Sequence, residues 1–335
     1  MGSIDMSVQD HCPGVLRLHA AADGPLARVR LPGGRLDARG LRGLASAAEL
    51  GNGIVELTSR AGVQLRGIRD PEACAQMLAS TGLLPSATHD RVRNIIASPV
   101  AGRHSDSRAE TDTLVAELDR QLCADPGLAG LSGRFLFAID DGAGLVGHVA
   151  DVTLVAVGPD RFRLAGREVT RADAAPAALA EARRLLAGSS GPPAAGAVKR
   201  VGPGPLRQTD GRVALTVMPR LARLDPHTLR ALADLADDVR LSSARTLTLV
   251  DLEPEVVDHT KSALVAAGLI ADPASGWVGL TACAGEGACP KARYRVRAAA
   301  ARRAAERGPG APPEHFAGCD RLCGCPEDAV IVRSG

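Results

Sequence analysis

Apolar and polar positions along this chain fall into two matching patterns far apart in sequence. The stretch "GRLDARGLRGLASAAELGNGIVELTSRAGVQL" (34–65) aligns with "ARLDPHTLRALADLADDVRLSSARTLTL" (222–249). Both share Arg-Leu-Asp, then Leu-Arg-x-Leu-Ala, then alternating strand residues, and each later reaches Gly-Leu-Leu or Gly-Leu-Ile, at Gly82 and Gly268. Self-similarity of this length is the mark of a duplicated unit.

Within each unit the periodicities predict a strand ("LARVRLPG", "RVALTVMPR") and a helix with Asp37 or Asp225 as N-cap. A second strand of period-two alternation and a second helix follow. That order gives an α+β layer with helices on one sheet face. The first unit is followed by "RVRNIIASPVAG", a helix around 109–123 and the strands "RFLFAID" and "DVTLVAVG". The Gly-, Pro- and Ala-rich stretch 187–205 reads as a linker between the halves.

At 335 residues the chain is long enough for two or more domains. Its net charge of +2 offers no basic field, so no nucleic-acid partner is expected. Lysine occurs only at Lys199, Lys261 and Lys291; the other cations are arginines. A GC-rich genome accounts for that bias by itself. The functional alternative is a ligand with several carboxylates, which guanidinium binds bidentately and lysine does not. No apolar run approaches the ~18 residues of a membrane span, and "MGSIDMSVQDH" lacks the regions of a signal peptide. The expectation is a cytoplasmic protein without a membrane partner, in which clustered thiols are metal ligands rather than disulfides.

Five cysteines cluster near the end. "TACAGEGACPKARYR" (281–295) carries Cys283 and Cys289, and "HFAGCDRLCGCP" (315–326) carries Cys319, Cys323 and Cys325. A tetrahedral zinc site draws on tighter knuckles, whereas a [4Fe–4S] cubane takes one thiolate per iron and suits two pairs on separate loops. Gly285 and Gly287 would let backbone approach the sulfides. Pro290 would open an arginine-studded helix ending at Gly308, its positive end toward the cluster. In Cys-Gly-Cys-Pro only one thiol need be a ligand, and Cys323 is assigned over Cys325. Cys12, Cys74 and Cys123 stand alone and read as small buried hydrophobes.

Cys-x5-Cys followed by Gly-Cys-x3-Cys, closing a chain of two duplicated halves, resembles the siroheme-dependent nitrite and sulfite reductase superfamily. "LTSRAGVQLRGI" and "DRVRNIIASP" are similar to its Thr-x-Arg and Arg-Asn elements. The resemblance implies an α+β, duplicated nitrite/sulfite reductase-like fold, with two ferredoxin-like half-domains and two α+β catalytic domains related by pseudo-twofold symmetry. The corresponding division is a tail at 1–12, a first half-domain at 13–84 and a first reductase-like domain at 85–186. After the linker come a second half-domain at 206–271 and a cluster-binding domain at 272–335. Carried over, Cys283, Cys289, Cys319 and Cys323 would ligate the cluster, and Arg60 and Arg93 would line a tetrapyrrole and anion pocket.

Where the reductases present two lysines, "GRFLF" offers Arg134 and then Leu136. One missing cation weakens stabilisation of an oxyanion. The short chain with "LSGRFLFAIDDG" and "HFAGCDRLCG" is similar to the branch of precorrin-3B synthases. This resemblance implies that the tetrapyrrole is substrate: precorrin-3A would be hydroxylated at C20 with O2, its ring A acetate closing to a γ-lactone. Arg60, Arg93 and Arg134 would then bind its carboxylates. It also implies a mononuclear non-haem iron, for which no histidine pair has a recognisable ligand spacing; His315 is placed near the cluster as a hydrogen-bond donor. Siroheme enters only under the alternative of a sulfite or nitrite reductase.

"DGAGLVG" (141–147) matches the dinucleotide fingerprint, but a true one opens a helix, and this segment reads as a hairpin turn. Reducing equivalents from NADH would therefore arrive through a separate electron-donor protein.

Overall fold

In the computed structural model, which describes residues 12–146, 149–188 and 200–333, both copies of the repeat fold alike. The first comprises β1 (His19–Ala21), β2 (Gly24–Val29), β3 (Arg35–Leu36), α1 (Ala38–Glu49), β4 (Val55–Leu57), β5 (Val63–Leu65) and α2 (Pro71–Ser80). A first α+β module follows: β6 (Ile95–Ala97), α3 (Asp112–Ala124), β7 (Phe137–Asp140), β8 (Val152–Gly158), β9 (Arg161–Leu164), β10 (Arg167–Thr170) and α4 (Arg171–Leu186). The second copy holds β11 (Gly204–Arg207), β12 (Val213–Val217), β13 (Arg223–Leu224), α5 (Pro226–Leu235), β14 (Val239–Leu241), β15 (Leu247–Leu252) and α6 (Val257–Ala266). A second module is built from β16 (Leu280–Ala282), α7 (Val296–Glu306), β17 (Glu314–Phe316) and β18 (Val330–Val332).

Asp37 and Asp225 cap α1 and α5 as their positions predict: their Oδ1 atoms accept from Gly40 N at 2.6 Å and Thr228 N at 2.8 Å. The single alternating strand expected in each copy is instead a hairpin. In the first, Thr58 Oγ1 accepts from the amides of Arg60 and Gly62 and closes a loop between β4 and β5; Ser242 Oγ does the same for Ala244 and Thr246. A hydroxyl that competes for backbone amides is what breaks the run.

The two copies exchange their shortest strands. The first sheet runs β1-β2-β5-β4-β13 and the second β11-β12-β15-β14-β3. Leu224 thereby pairs with Val55, and Leu36 with Val239. Helix α1 packs on α5 across the same axis, burying Leu41, Leu44, Leu229 and Leu232, each worth about 1.5–3 kcal/mol. One core runs through both copies, while each module has its own.

Before the exchanged strand the chain turns through left-handed conformations. In the first copy these fall on Gly33 and Gly34, and a Cβ at 34 would stand 2.2 Å from Leu241 O. Their counterparts are Leu221 (φ 52°) and Ala222 (φ 60°), where a side chain makes the same turn cost about 1–2 kcal/mol per residue.

The first module's sheet runs β10-β9-β8-β7-β6, with β6, β7 and β8 parallel. Because β7 and β8 pair in parallel, the chain between them makes no hairpin turn, contrary to the expectation for 141–147. No helix opens at its described residues; Gly147 and His148 lie outside them. In the second module β16, β17 and β18 are all parallel, so strand–helix–strand β16-α7-β17 repeats β6-α3-β7. The expected linker is described only at its ends: α4 stops at Leu186, β11 starts at Gly204, and 189–199 lie outside the described residues, as do 1–11 of the tail. Arg240, 1 % exposed, joins the first module to the second copy by donating to Asp112 at 2.8 and 2.6 Å and to Asp238 at 2.8 Å.

Candidate functional site

The parallel sheet of the second module positions the thiols. Cys283 follows β16 directly and Cys319 lies three residues beyond β17, so both loops leave the carboxyl ends of adjacent strands, the usual place for a ligand in such sheets. Cys283 N donates to Phe316 O at 3.0 Å, and Arg293 N to Gly318 O at 3.1 Å, stitching the loops together. Gly318 N donates to Cys283 Sγ at 3.3 Å. Gly285 (φ 79°) carries the sharpest bend; a Cβ there would meet Val296 Cγ2 at 2.7 Å, which sets the loop against the start of α7. That helix begins at Val296, not after Pro290, and ends at Glu306 rather than running on to Gly308. Residues 290–295 form turns and bends that carry the chain from Cys289 to the helix.

Cys283, Cys289, Cys319 and Cys323 are brought together. Burial raises the Cys323 thiol pKa, Arg321 opposes the rise, and the other three thiols add to it. Cys325 is turned elsewhere: it donates to Pro326 O at 3.3 Å and has Arg245 and Asp328 as its charged neighbours. Among the described residues no three His, Cys, Asp or Glu side chains converge tightly enough for a single metal ion. Cys323 thus lies within electrostatic reach of Cys283, Cys289 and Cys319, and four thiolates, one per iron, are the donor set a [4Fe–4S] cubane takes. The mononuclear iron finds no ligand set among the described residues; of the histidines, His11 and His148 lie outside them. His315, on β17, is fully buried. Its Nδ1 lies 2.9 Å from Thr281 Oγ1, and its Nε2 has no partner among the described residues.

Cys283, Cys289 and Cys323 open onto a cleft of about 580 Å³ between the first copy, the left-handed turn at Leu221 and the second module. That lies within the ~300–1,000 Å³ of pockets for small ligands. Six cations stand in its wall: Arg28, Arg66, Arg245, Lys291, Arg297 and Arg321. The carboxylate among its described walls, Glu56, is engaged by Arg297 and by Gln64 Nε2 at 2.5 Å. Leu26, Met218 and Leu221 supply apolar surface.

Arg28, Thr58 and Ser59 also line an inner pocket of about 110 Å³ walled by Arg28, Arg30, Arg60, Arg93 and Asn94. Arg60 stands there and donates through Nη1 to Arg134 O at 2.6 Å. Arg93 reaches the wall with its fork closed on Asp119, at 2.8 and 2.7 Å. Arg134 contributes that carbonyl, while its side chain is exposed and is not part of the wall. Leu136 is buried, its N–H held by Asp151 at 2.8 Å. Cys12 is not the apolar filler expected: Arg30 Nη2 donates to its sulfur at 3.3 Å, and the thiol donates to Gly133 O at 3.3 Å. Cys74 is buried and Cys123 half-buried. Arg28, Arg66 and Arg245 were not singled out by sequence. For Arg245 a signal lay in the repeat, where it stands opposite Ala61, beside Arg60, in the same hairpin loop.

Residues 19–76 match the nitrite/sulfite reductase ferredoxin-like half domain. The chain is 31 % identical to a precorrin-3B synthase of Sinorhizobium sp. over 159 residues, 47 % of this chain and 34 % of that protein. It is 32 % identical to a ferredoxin–nitrite reductase of Leptolyngbya laminosa over 123 residues, 34 % of this chain and 24 % of that protein. The matches thus span a quarter to a third of the curated relatives' lengths. The structure of the NirA protein of Mycobacterium tuberculosis superposes with a TM-score of 0.72 at 21 % identity, over 90 % of this chain and 69 % of that one, a likeness of fold. No helix among the described residues is long and apolar enough to cross a membrane.

Proposed function

We propose that this chain is an iron–sulfur oxidoreductase of the nitrite/sulfite reductase superfamily that hydroxylates a carboxylated tetrapyrrole in the manner of precorrin-3B synthase. The observation that carries this reading is that Cys283, Cys289 and Cys323 line one cation-walled cleft, with Cys319 within electrostatic reach of Cys323. When bound, a [4Fe–4S] cluster held by Cys283, Cys289, Cys319 and Cys323 supplies single electrons.

The chain's own residues would bind and orient the substrate. Arg28, Arg321 and Lys291 offer cations to acetate and propionate groups, guanidinium bidentately. Arg297 neutralises Glu56, the carboxylate that would repel such a ligand, and Gln64 Nε2 donates a hydrogen bond to it. Leu26, Met218 and Leu221 give the macrocycle an apolar face, and the turn holding Leu221 is kept in a costly conformation at the cleft wall. The reaction on this reading is C20 hydroxylation of precorrin-3A with O2 and closure of the ring A acetate to a γ-lactone. On this reading electrons come from NADH through a separate donor protein.

A siroheme-dependent nitrite or sulfite reductase is the second reading, favoured by the match to the nitrite reductases. Buried Leu136 and outward-facing Arg134 supply no cation to the inner pocket, whose positive charge comes from Arg28, Arg30, Arg60 and Arg93 instead of the paired lysines such a reaction draws on. Anaerobic purification followed by assay with precorrin-3A and isotope-labelled O2 tests the first reading. Label in the lactone product is expected. Unlabelled product, or a purified protein with siroheme's Soret and red bands, overturns it.

A further inference from the structure

We propose that Arg66 and Arg245 are positioning residues for the cluster, each holding the backbone of one cysteine loop and fixing a positive charge beside it. This inference rests on the iron–sulfur reading above and deepens it.

Arg66, just past β5, is buried, and Nε and Nη2 both donate to Asp23 at 2.7 Å. Its Nη2 also donates to Ala288 O at 3.0 Å, on the residue before Cys289. Asp23 thus aims a guanidinium from the first copy at the first cysteine loop. Arg245, in the hairpin loop of the second copy, donates through Nη2 to Gly324 O at 2.7 Å, on the residue after Cys323. Gly324 has φ 77°, a conformation that turns the chain away after the ligand.

The repeat supports a common role for these hairpin loops. In the first copy Arg60, one position from Arg245's counterpart, donates to the carbonyl of Arg134 in the first module. Both loops therefore send an arginine to a backbone carbonyl of the neighbouring module, and in the second module that carbonyl lies between two cysteines. Hydrogen bonds of this kind fix loops that carry metal ligands, and such outer contacts govern affinity and potential. A cluster gains one negative charge on reduction, so a fixed guanidinium favours the reduced form.

The test uses anaerobically purified full-length chain: wild type, Arg66→Gln, Arg66→Lys, Arg245→Gln and, as a control on the exposed face of α7, Arg302→Gln. Iron and acid-labile sulfide, the half-life of the cluster against a chelator, and its midpoint by paramagnetic-resonance redox titration are measured. Both Gln variants are expected to lower the reduced-to-oxidised ratio about tenfold, ~59 mV for one electron, and to lose the cluster severalfold faster. Arg66→Lys keeps the charge but not the fork, so it should hold the potential and still lose the cluster faster. Arg302→Gln should change neither. If a Gln variant fails to fold, Asp23→Asn, which loosens Arg66 in place, should shift lability in the same direction. Gln variants with wild-type potential and half-life, or a control that shifts as far, overturn the proposal. Wild-type protein without iron and sulfide would instead overturn the iron–sulfur reading, and the clamp with it.

Discussion

The backbone N–H of Gly318 points at the sulfur of Cys283 across 3.3 Å, so the loop that carries Cys319 supports a thiolate on the other loop. Only glycine allows this approach: a Cβ at 318 would lie 2.8 Å from Ala292 Cβ and 3.2 Å from its Cα. Gly318→Ala should push the loops apart and cut iron and acid-labile sulfide to well below the wild-type content per chain. Full content with wild-type resistance to a chelator would show that the contact is dispensable.

Cys323 and Cys325 are two residues apart yet face different neighbours, the first the other three thiols and the second Arg245 and Pro326 O. Cys323→Ser is expected to abolish the cluster's paramagnetic signal after reduction. Cys325→Ser should keep it. The reverse pattern would reassign the fourth ligand.

Arg93 is buried and donates through Nε and Nη2 to one carboxylate, Asp119. Asp119→Ala leaves that charge buried and unpaired, a change that costs about 3–5 kcal/mol. Urea unfolding should register the loss, and removing both partners together should be milder than removing Asp119 alone. A single variant within ~0.5 kcal/mol of wild type contradicts the account.

Burial, aided by the charge of Arg245, pushes the pKa of His315 down to about 4. The folded state therefore favours neutral His315, while the unfolded chain takes up a proton near ~6.5. Stability should be complete above that value and fall as the pH drops toward 4, by about 2 kcal/mol between pH 7 and pH 5. His315→Asn should flatten this part of the pH profile of the urea midpoint. An unchanged slope would mean that His315 does not titrate there.

Much of the architecture was legible because its signals are local. Asp37 and Asp225 cap helices through residues three positions on, and the duplicated Leu-Arg-x-Leu-Ala pattern buries one helix face in each copy. The cysteine spacing likewise singled out two loops. Where two local signals competed, the reading failed: the alternating run at 54–65 hid the Thr58 loop, and Pro290 hid a helix that starts at Val296.

What the chain's order of residues determined was the duplicated α+β plan and the thiols available to a cluster, since caps, periodicities and spacings act over a few residues. Tertiary structure alone decided that β3 and β13 change sheets, that β7 and β8 run parallel, that Arg93 is closed on Asp119 while Arg134 faces out, and that Arg66 and Arg245 reach the cysteine loops. The partner of a guanidinium, or of a strand edge, lies on chain segments far away in sequence. Only their packing brings them within hydrogen-bond distance.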